Sequence, residues 1–184
     1  MLRMEFGLQV AAVAAAAVVM GCARCPDGTG TRDDDWASSE WISVPSAPTF
    51  DGEVKEGCRA ADGTSWFAAT FTNEAEVVSA RWRVTGLGVF DVFVNGRSVG
   101  TDFLKPGFTH FAKTKYAFEY DVTGLIRTGC GEANVLAAEV SAGWWRDKIV
   151  NFAGRKSAFR GVLELTYADG TTERFGTKAS DWRC

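Results

Sequence analysis

The chain has one histidine, His110, and it stands in the stretch SVGTDFLKPGFTHF, residues 98–111. An imidazole can act as general base to a serine or cysteine nucleophile, but it then needs a nucleophile motif and a carboxylate to orient it. Neither accompanies His110, so the residue reads as a turn position bonding to backbone. The carboxylate pairs Glu74/Glu76 and Glu132/Glu139 read as solvated charges at strand ends rather than as an acid–base couple. Asp33–Asp35 sit in ARCPDGTGTRDDD (23–35), a Gly/Thr/Asp-rich run with no apolar period that reads as a flexible tether. The five cysteines, Cys22, Cys25, Cys58, Cys130 and Cys184, are scattered. They contain no pair of C-x-x-C motifs, which argues against zinc. The lone CARC at 22–25 is weak evidence for redox chemistry.

The N-terminal MLRMEFGLQVAAVAAAAVVMGC has the pattern of an export signal. Arg3 supplies positive charge, and Val10–Met20 form an apolar run of 11 residues. A bilayer span needs about 20. The run ends in VMGC, which resembles a lipobox, with Cys22 as the lipidated first residue of the mature chain. Ordinary secretory cleavage near Gly21 is the alternative. Either route takes the protein out of the cytoplasm, as a membrane-anchored lipoprotein of the periplasm or cell surface or as a secreted protein. A membrane is then a partner only through the lipid. The four other cysteines could pair as two disulfides in three connectivities or remain reduced and buried.

With 184 residues, 46% hydrophobic and 23% charged, the chain has the composition of one globular domain large enough for a real core. A net charge of −3 and no window interleaving Lys/Arg with aromatics exclude a nucleic-acid interface. Three regions follow: a signal over 1–21, a linker and lead-in strand over 22–60, and a folded body over 61–184. In the body, SWFAATFT (65–72), SARWRVTG (79–86) and VFDVFVNG (89–96) alternate and are rich in aromatic and β-branched residues. Alternation puts Ala80, Trp82 and Val84 on one face, and Phe90, Val92 and Val94 on one face of the next strand. Asn95-Gly96 supplies the positive φ angles of a type I′ hairpin, and ADGT (168–171) signals a second tight hairpin. TKYAFEYDVTGLI (114–126), ANVLAAEVSAGWW (133–145), FRGVLELTYADGTTERFGT (159–177) and ASDWR (179–183) continue the strand series. NEAEVVSA (73–80) is a short helical candidate, and YDVTGLIRTG has room for one turn capped by Asp121 or Thr123. About eight short strands with hardly any helix predict an all-β antiparallel sandwich. Its core has a place for the seven tryptophans.

The ordered pieces ARWRVTGLG, VNGRSVG, LKPGFTHF and YDVTGLI, followed by NVLAAEV, GWW, YADGTTE and SDWR, resemble the N-terminal accessory domain of bacterial α-L-rhamnosidases, glycoside hydrolase family 78. The resemblance runs from about Trp66 to Arg183, and SSEWIS (38–43) matches a lead-in strand. It implies a jelly-roll β-sandwich of the galactose-binding-like, carbohydrate-binding type that recognises rhamnose-containing oligo- or polysaccharide. In such enzymes catalysis belongs to a separate (α/α)6 barrel, for which a chain ending at Cys184 has no room. The expectation is a non-catalytic recognition domain. Its alternatives are a truncated or split glycosidase whose barrel is encoded separately, and a purely structural packing module.

The resemblance also directs attention to two loops. One is 98–111, where Phe108 and His110 could contact sugar and Asp102 could supply a metal oxygen, or where Phe108 and Phe111 simply pack the sandwich edge. The other is SAGWWRDKIVNFAGRK (141–156), with Trp145 as a stacking platform or a packed edge tryptophan, and Arg146 beside it. Some relatives bind rhamnose through calcium, which takes about six to eight oxygens. Asp102, Asp147 and Asn151 are the donors expected here. This chain has Ser141-Ala142 where the family commonly places a glycine and an Asp or Asn, so one inherited polar contact is missing.

Overall fold

The computed structural model describes residues 23–24, 36–44, 64–73, 75–129, 131–146 and 156–184. The signal segment, Cys22, Cys25, Cys58, Cys130, Asp147 and Asn151 lie outside the described residues. Among the described residues, ten strands form two antiparallel sheets, β1 (Ala23–Arg24), β2 (Ile42–Ser43), β3 (Ser65–Asn73), β4 (Val77–Leu87), β5 (Val89–Val94), β6 (Arg97–Ser98), β7 (Phe118–Asp121), β8 (Glu132–Ser141), β9 (Ala158–Tyr167) and β10 (Thr172–Gly176). One sheet runs β1-β2-β9-β4-β7, with β10 also on β9; the other runs β3-β8-β5-β6. This is the predicted all-β sandwich.

The alternation read in the sequence sets the two inner faces. Ala80, Trp82, Val84, Phe90, Val92 and Val94 are all buried at or below 1% exposure, while Arg81 and Asp91 between them face solvent. Phe159 of β9 sits at the centre, its ring 5.7 to 6.3 Å from those of Trp182, Phe67, Trp82 and Phe90. Close packing explains Gly86, where a Cβ would come within 2.6 Å of the Phe90 ring. The Trp82 indole N–H is buried without a hydrogen-bond partner. Of the tryptophans, Trp36, Trp41, Trp82 and Trp182 are buried, but Trp66 is 51% exposed and does not join the core.

Asn95 and Gly96 have φ of 51° and 77° and join β5 to β6 as a two-residue hairpin, as predicted. The asparagine side chain does more than turn the chain. Its amide donates to the carbonyl of Leu125 and to Asn134 Oδ1, and its oxygen accepts from the Val135 N–H. Asn134, fully buried, donates in turn to Asn73 Oδ1 and to the carbonyl of Arg127. Side chains from β3 and β8 and from the β5–β6 turn thus meet in one amide network.

Four sequence expectations are corrected. Residues 73–80 are not helical: β4 starts at Val77 and pairs with β9, and Ala168 N–H binds the Glu76 carbonyl. Of 114–126, only Phe118–Asp121 is strand; Thr123–Leu125 form a 3-10 turn whose start is held by Asp121 accepting from the Thr123 N–H and hydroxyl. Residues 179–183 form a turn and a single bridge, Arg183 to Ala68, rather than a strand. The tether read over 23–35 contributes a strand, β1, against β2. The lead-in over 36–44 is fastened to the body. Arg160 donates to the carbonyls of Trp36 and Ser39 and lies 5.2 Å from the Trp36 ring.

Candidate functional site

The connection between β6 and β7, residues 99–117, holds three of the seven predicted contact residues, Asp102, Phe108 and His110. It is anchored to the sandwich before it is exposed. Val99 N–H donates to the Val92 carbonyl, and Phe90 N–H donates to the Lys105 carbonyl, so the loop extends the edge beside β5. Gly100, at φ 79°, lies under the Tyr120 ring, where a Cβ would come within 2.5 Å. The Lys105–Pro106 peptide is cis. Beyond it, the Thr109 hydroxyl donates to the Thr114 carbonyl, and the His110 carbonyl accepts from the N–H groups of Lys113 and Thr114. His110 therefore heads a tight turn through its backbone, the role read for it in the sequence.

Lys105 organises the base of the loop, and sequence reasoning missed it. Its side chain is 2% exposed, and its ammonium lies 3.3 Å from Asp91 Oδ1, 3.4 Å from the Val99 carbonyl and over the rings of Tyr120 and Phe90. The aliphatic stem fills the open side of the sandwich while the charge finds two oxygens and two π faces. Tyr120 donates its hydroxyl to Asp102 at 3.1 Å. Burial, reinforced by that carboxylate, pushes the Tyr120 hydroxyl far above its usual range, so it stays protonated and a donor. The only sequence signal for Lys105 is a lone cation in an otherwise apolar FLKPGF run.

The loop exposes large apolar side chains among its polar ones. Among the described residues, six large hydrophobic side chains are exposed, and four of them, Phe103, Leu104, Phe108 and Tyr116, belong to this loop. Phe108 meets buried Phe111 edge-on at 6.0 Å, and Phe111 meets Trp145 edge-on at 5.6 Å. Trp145 lies in the 3-10 turn Gly143–Arg146, packs on Trp41, Leu87 and Ala158, and donates its indole N–H to the Lys156 carbonyl. The predicted Phe108 and Trp145 are thus joined through Phe111 into one aromatic row. Asp102 stands apart from that row, on Tyr120. Arg146 is described only as backbone of the turn.

Of the three expected calcium donors, only Asp102 lies among the described residues. These contain no group of three or more His, Cys, Asp or Glu that could hold a metal ion. Asp102 alone, with one oxygen engaged by Tyr120, does not make a calcium site, and its two expected companions lie outside the described residues. A separate groove lies on the outer face of the other sheet, lined by Arg81, Arg83, Glu119, Val162, Glu164 and Arg174. Its charges are paired in place, with Glu119 accepting from Arg83 at 2.6 Å and Arg81 at 3.3 Å and Glu164 from Arg174 at 2.6 Å. The Arg83 hydrogen bond holds the Glu119 carboxyl below the usual range.

Two antiparallel sheets packed face to face, with an aromatic loop at one edge, define a β-sandwich domain. The chain belongs to the alpha-L-rhamnosidase N-terminal domain family, whose model matches residues 75–184. It is 36% identical over 160 residues to an alpha-L-rhamnosidase of Streptomyces avermitilis, covering 84% of this chain and 15% of that one. Among solved structures, the S. avermitilis alpha-L-rhamnosidase complexed with L-rhamnose is similar with TM-score 0.58 and 38% identity, covering 64% of this chain and 12% of that one. The native alpha-L-rhamnosidase of Aspergillus terreus is similar with TM-score 0.67 and 27% identity, covering 82% and 17%. The chain spans about a sixth of the length of the curated relatives it matches. What it shares with them is the N-terminal domain.

Proposed function

We propose that this domain recognises rhamnose-bearing glycans through the 99–117 loop, without breaking a bond. The observation that carries the reading is the concentration of exposed Phe103, Leu104, Phe108 and Tyr116 on one anchored loop. A pyranose has an apolar C–H face and a polar rim, and a sugar site matches these with an aromatic face and a few oriented polar groups. Phe108 supplies the face. Asp102, oriented by Tyr120, accepts sugar hydroxyl protons, and His110 and Arg146 are the further polar contacts in this reading. Trp145 backs the site through Phe111. Membership of a rhamnosidase domain family supports rhamnose as the unit recognised. Calcium is a second part of the proposal, with Asp102, Asp147 and Asn151 as donors, and no binding step is routed through it.

The chain's small share of its relatives' length supports a second reading, in which the domain works beside a glycosidase barrel in the same or a separate chain. Export and lipidation at Cys22 belong to the proposal as well. Replacing Cys22 with Ser should abolish incorporation of labelled palmitate; unchanged labelling would remove the anchor from the reading. For binding, calorimetric titration with L-rhamnose, with and without calcium, is the direct test. Heat lost in Phe108→Ala and Asp102→Ala supports the loop site, and flat heats from a folded sample at millimolar sugar would end it.

A further inference from the structure

We infer that the solvent face of the β3-β8-β5-β6 sheet is a second saccharide platform, separate from the 99–117 loop and not dependent on that loop binding sugar. The strand register builds it from residues distant in sequence. Trp66, Glu139 and Asp91 stand opposite one another across β3, β8 and β5. In the neighbouring row stand Arg183, Ala68, Ala137 and Phe93, with Arg183 added to the free edge of β3 by its backbone bonds to Ala68. Residues paired directly across antiparallel strands share a face, so all seven side chains project to the same side. The burial pattern agrees, since the intervening Phe67, Ala138, Val92 and Trp182 are buried.

Trp66 is 51% exposed, and its ring centre lies 5.6 Å from that of Phe93 at a tilt of 31°. The two rings meet across β8, beside the small side chains of Ala68 and Ala137. Around this apolar floor stand two carboxylates and a guanidinium. Asp91 is fixed from behind by the Lys105 ammonium at 3.3 Å while half its side chain stays open to solvent. An isolated exposed tryptophan would need no account. A tryptophan and a phenylalanine in contact, over alanines and ringed by hydroxyl-binding groups, match a pyranose, with its C–H face on the rings and its hydroxyls toward Asp91, Glu139 and Arg183. The core of a protein-docking surface is depleted in Asp, Glu and Ala. Here Asp91, Glu139, Ala68 and Ala137 stand directly beside the two rings. The occupant is therefore a pyranose segment of a polysaccharide.

Native affinity electrophoresis of the full chain in gels containing rhamnogalacturonan I or barley β-glucan tests the platform. Retardation is expected in at least one gel, weakened tenfold or more by Trp66→Ala and by Ala137→Arg, which buries the floor under a long side chain. Val78→Ala, at an exposed position on β4 of the other sheet, should leave that retardation in place. Circular dichroism and thermal midpoints of the variants should match the parent, because Trp66 lies outside the core. No retardation in either gel, or retardation unmoved by both platform variants, would overturn the inference. So would a Trp66-dependent dimer in sedimentation, which would make the face a contact between copies.

Discussion

The ammonium of Lys105 lies 3.3 Å from the carboxylate of Asp91, although the lysine side chain is 2% exposed and the aspartate side chain 52%. The two partners therefore contribute unequally. Asp91 is screened by water, so the ion pair itself is worth about 1 kcal/mol or less, whereas the lysine side chain is buried with its ammonium over the rings of Phe90 and Tyr120. Lys105→Ala should cost about 2–3 kcal/mol in urea unfolding. Asp91→Ala should cost about 1 kcal/mol, and Lys105→Met should recover much of the alanine loss. Equal losses in Lys105→Ala and Asp91→Ala would show that the charge pair, not the packing, fastens the loop.

Trp82 offers a sharper contrast. It is fully buried and its indole N–H has no partner. Trp82→Ala should destabilise by about 3–5 kcal/mol through the cavity it leaves. Trp82→Phe keeps most of the packing and removes an unsatisfied donor, so it should cost less than about 2 kcal/mol. A phenylalanine variant as unstable as the alanine one would mean that the indole shape, not its polarity, decides the site.

Backbone conformation separates two neighbours in the loop. Leu104 has φ 55°, a left-handed value that a leucine side chain disfavours. Leu104→Gly should therefore raise the thermal midpoint, by relief of about 1 kcal/mol. Gly100→Ala should lower it, because φ is 79° and the added carbon meets the Tyr120 ring. Opposite signs are the expectation, and a destabilised Leu104→Gly would place the leucine side chain in a packing role despite its exposure.

Acid should erode stability through carboxylates that the fold holds ionised. Glu119 is lowered by its hydrogen bond from Arg83, and Asp121 and Asp169 by hydrogen bonds from Thr123 and Thr171. A carboxyl whose folded value lies below its unfolded value stabilises the protein above the unfolded value, and that stabilisation is lost as pH falls through the folded one. The thermal midpoint should thus be flat above about pH 5 and fall below about pH 4. Glu119→Gln should lower the midpoint at neutral pH and leave it nearly unchanged in acid, so the fall becomes shallower. An unchanged acid slope in this variant would assign the sensitivity to the aspartates.

The two inner faces and the Asn95-Gly96 hairpin were legible because they depend on local rules: period-two alternation and a turn that demands positive φ. Residues 73–80 misled because Glu74, Ala75 and Glu76 favour helix locally, while the distant strand β9 supplies the hydrogen bonds that win. Phe108, Phe111 and Trp145 could be named from their loops, but their joining into one row depends on how the 143–146 turn packs. Lys105 was invisible for the opposite reason. A lysine is ordinarily read as solvent-facing, and only the tertiary arrangement of Asp91, Tyr120 and the Val99 carbonyl makes a buried place for it. The platform around Trp66 depends on cross-strand register, which no single stretch of sequence states.

Asn134 is the fully buried centre of hydrogen bonds to Asn73, Asn95 and Arg127, so strand alignment is checked at a single point. A slip of one residue in β8 would turn that amide to solvent and push an apolar neighbour's place in the core onto the wrong face. It would also strip the Arg127 N–H and carbonyl and the Asn73 amide of their partner, at about 1–3 kcal/mol for each group left buried and unsatisfied. Apolar strands such as these tolerate many near-equivalent alignments by hydrophobicity alone. The asparagine acts as a proofreader during folding, making the misaligned sheets uncompetitive while adding little to the stability of the correct one.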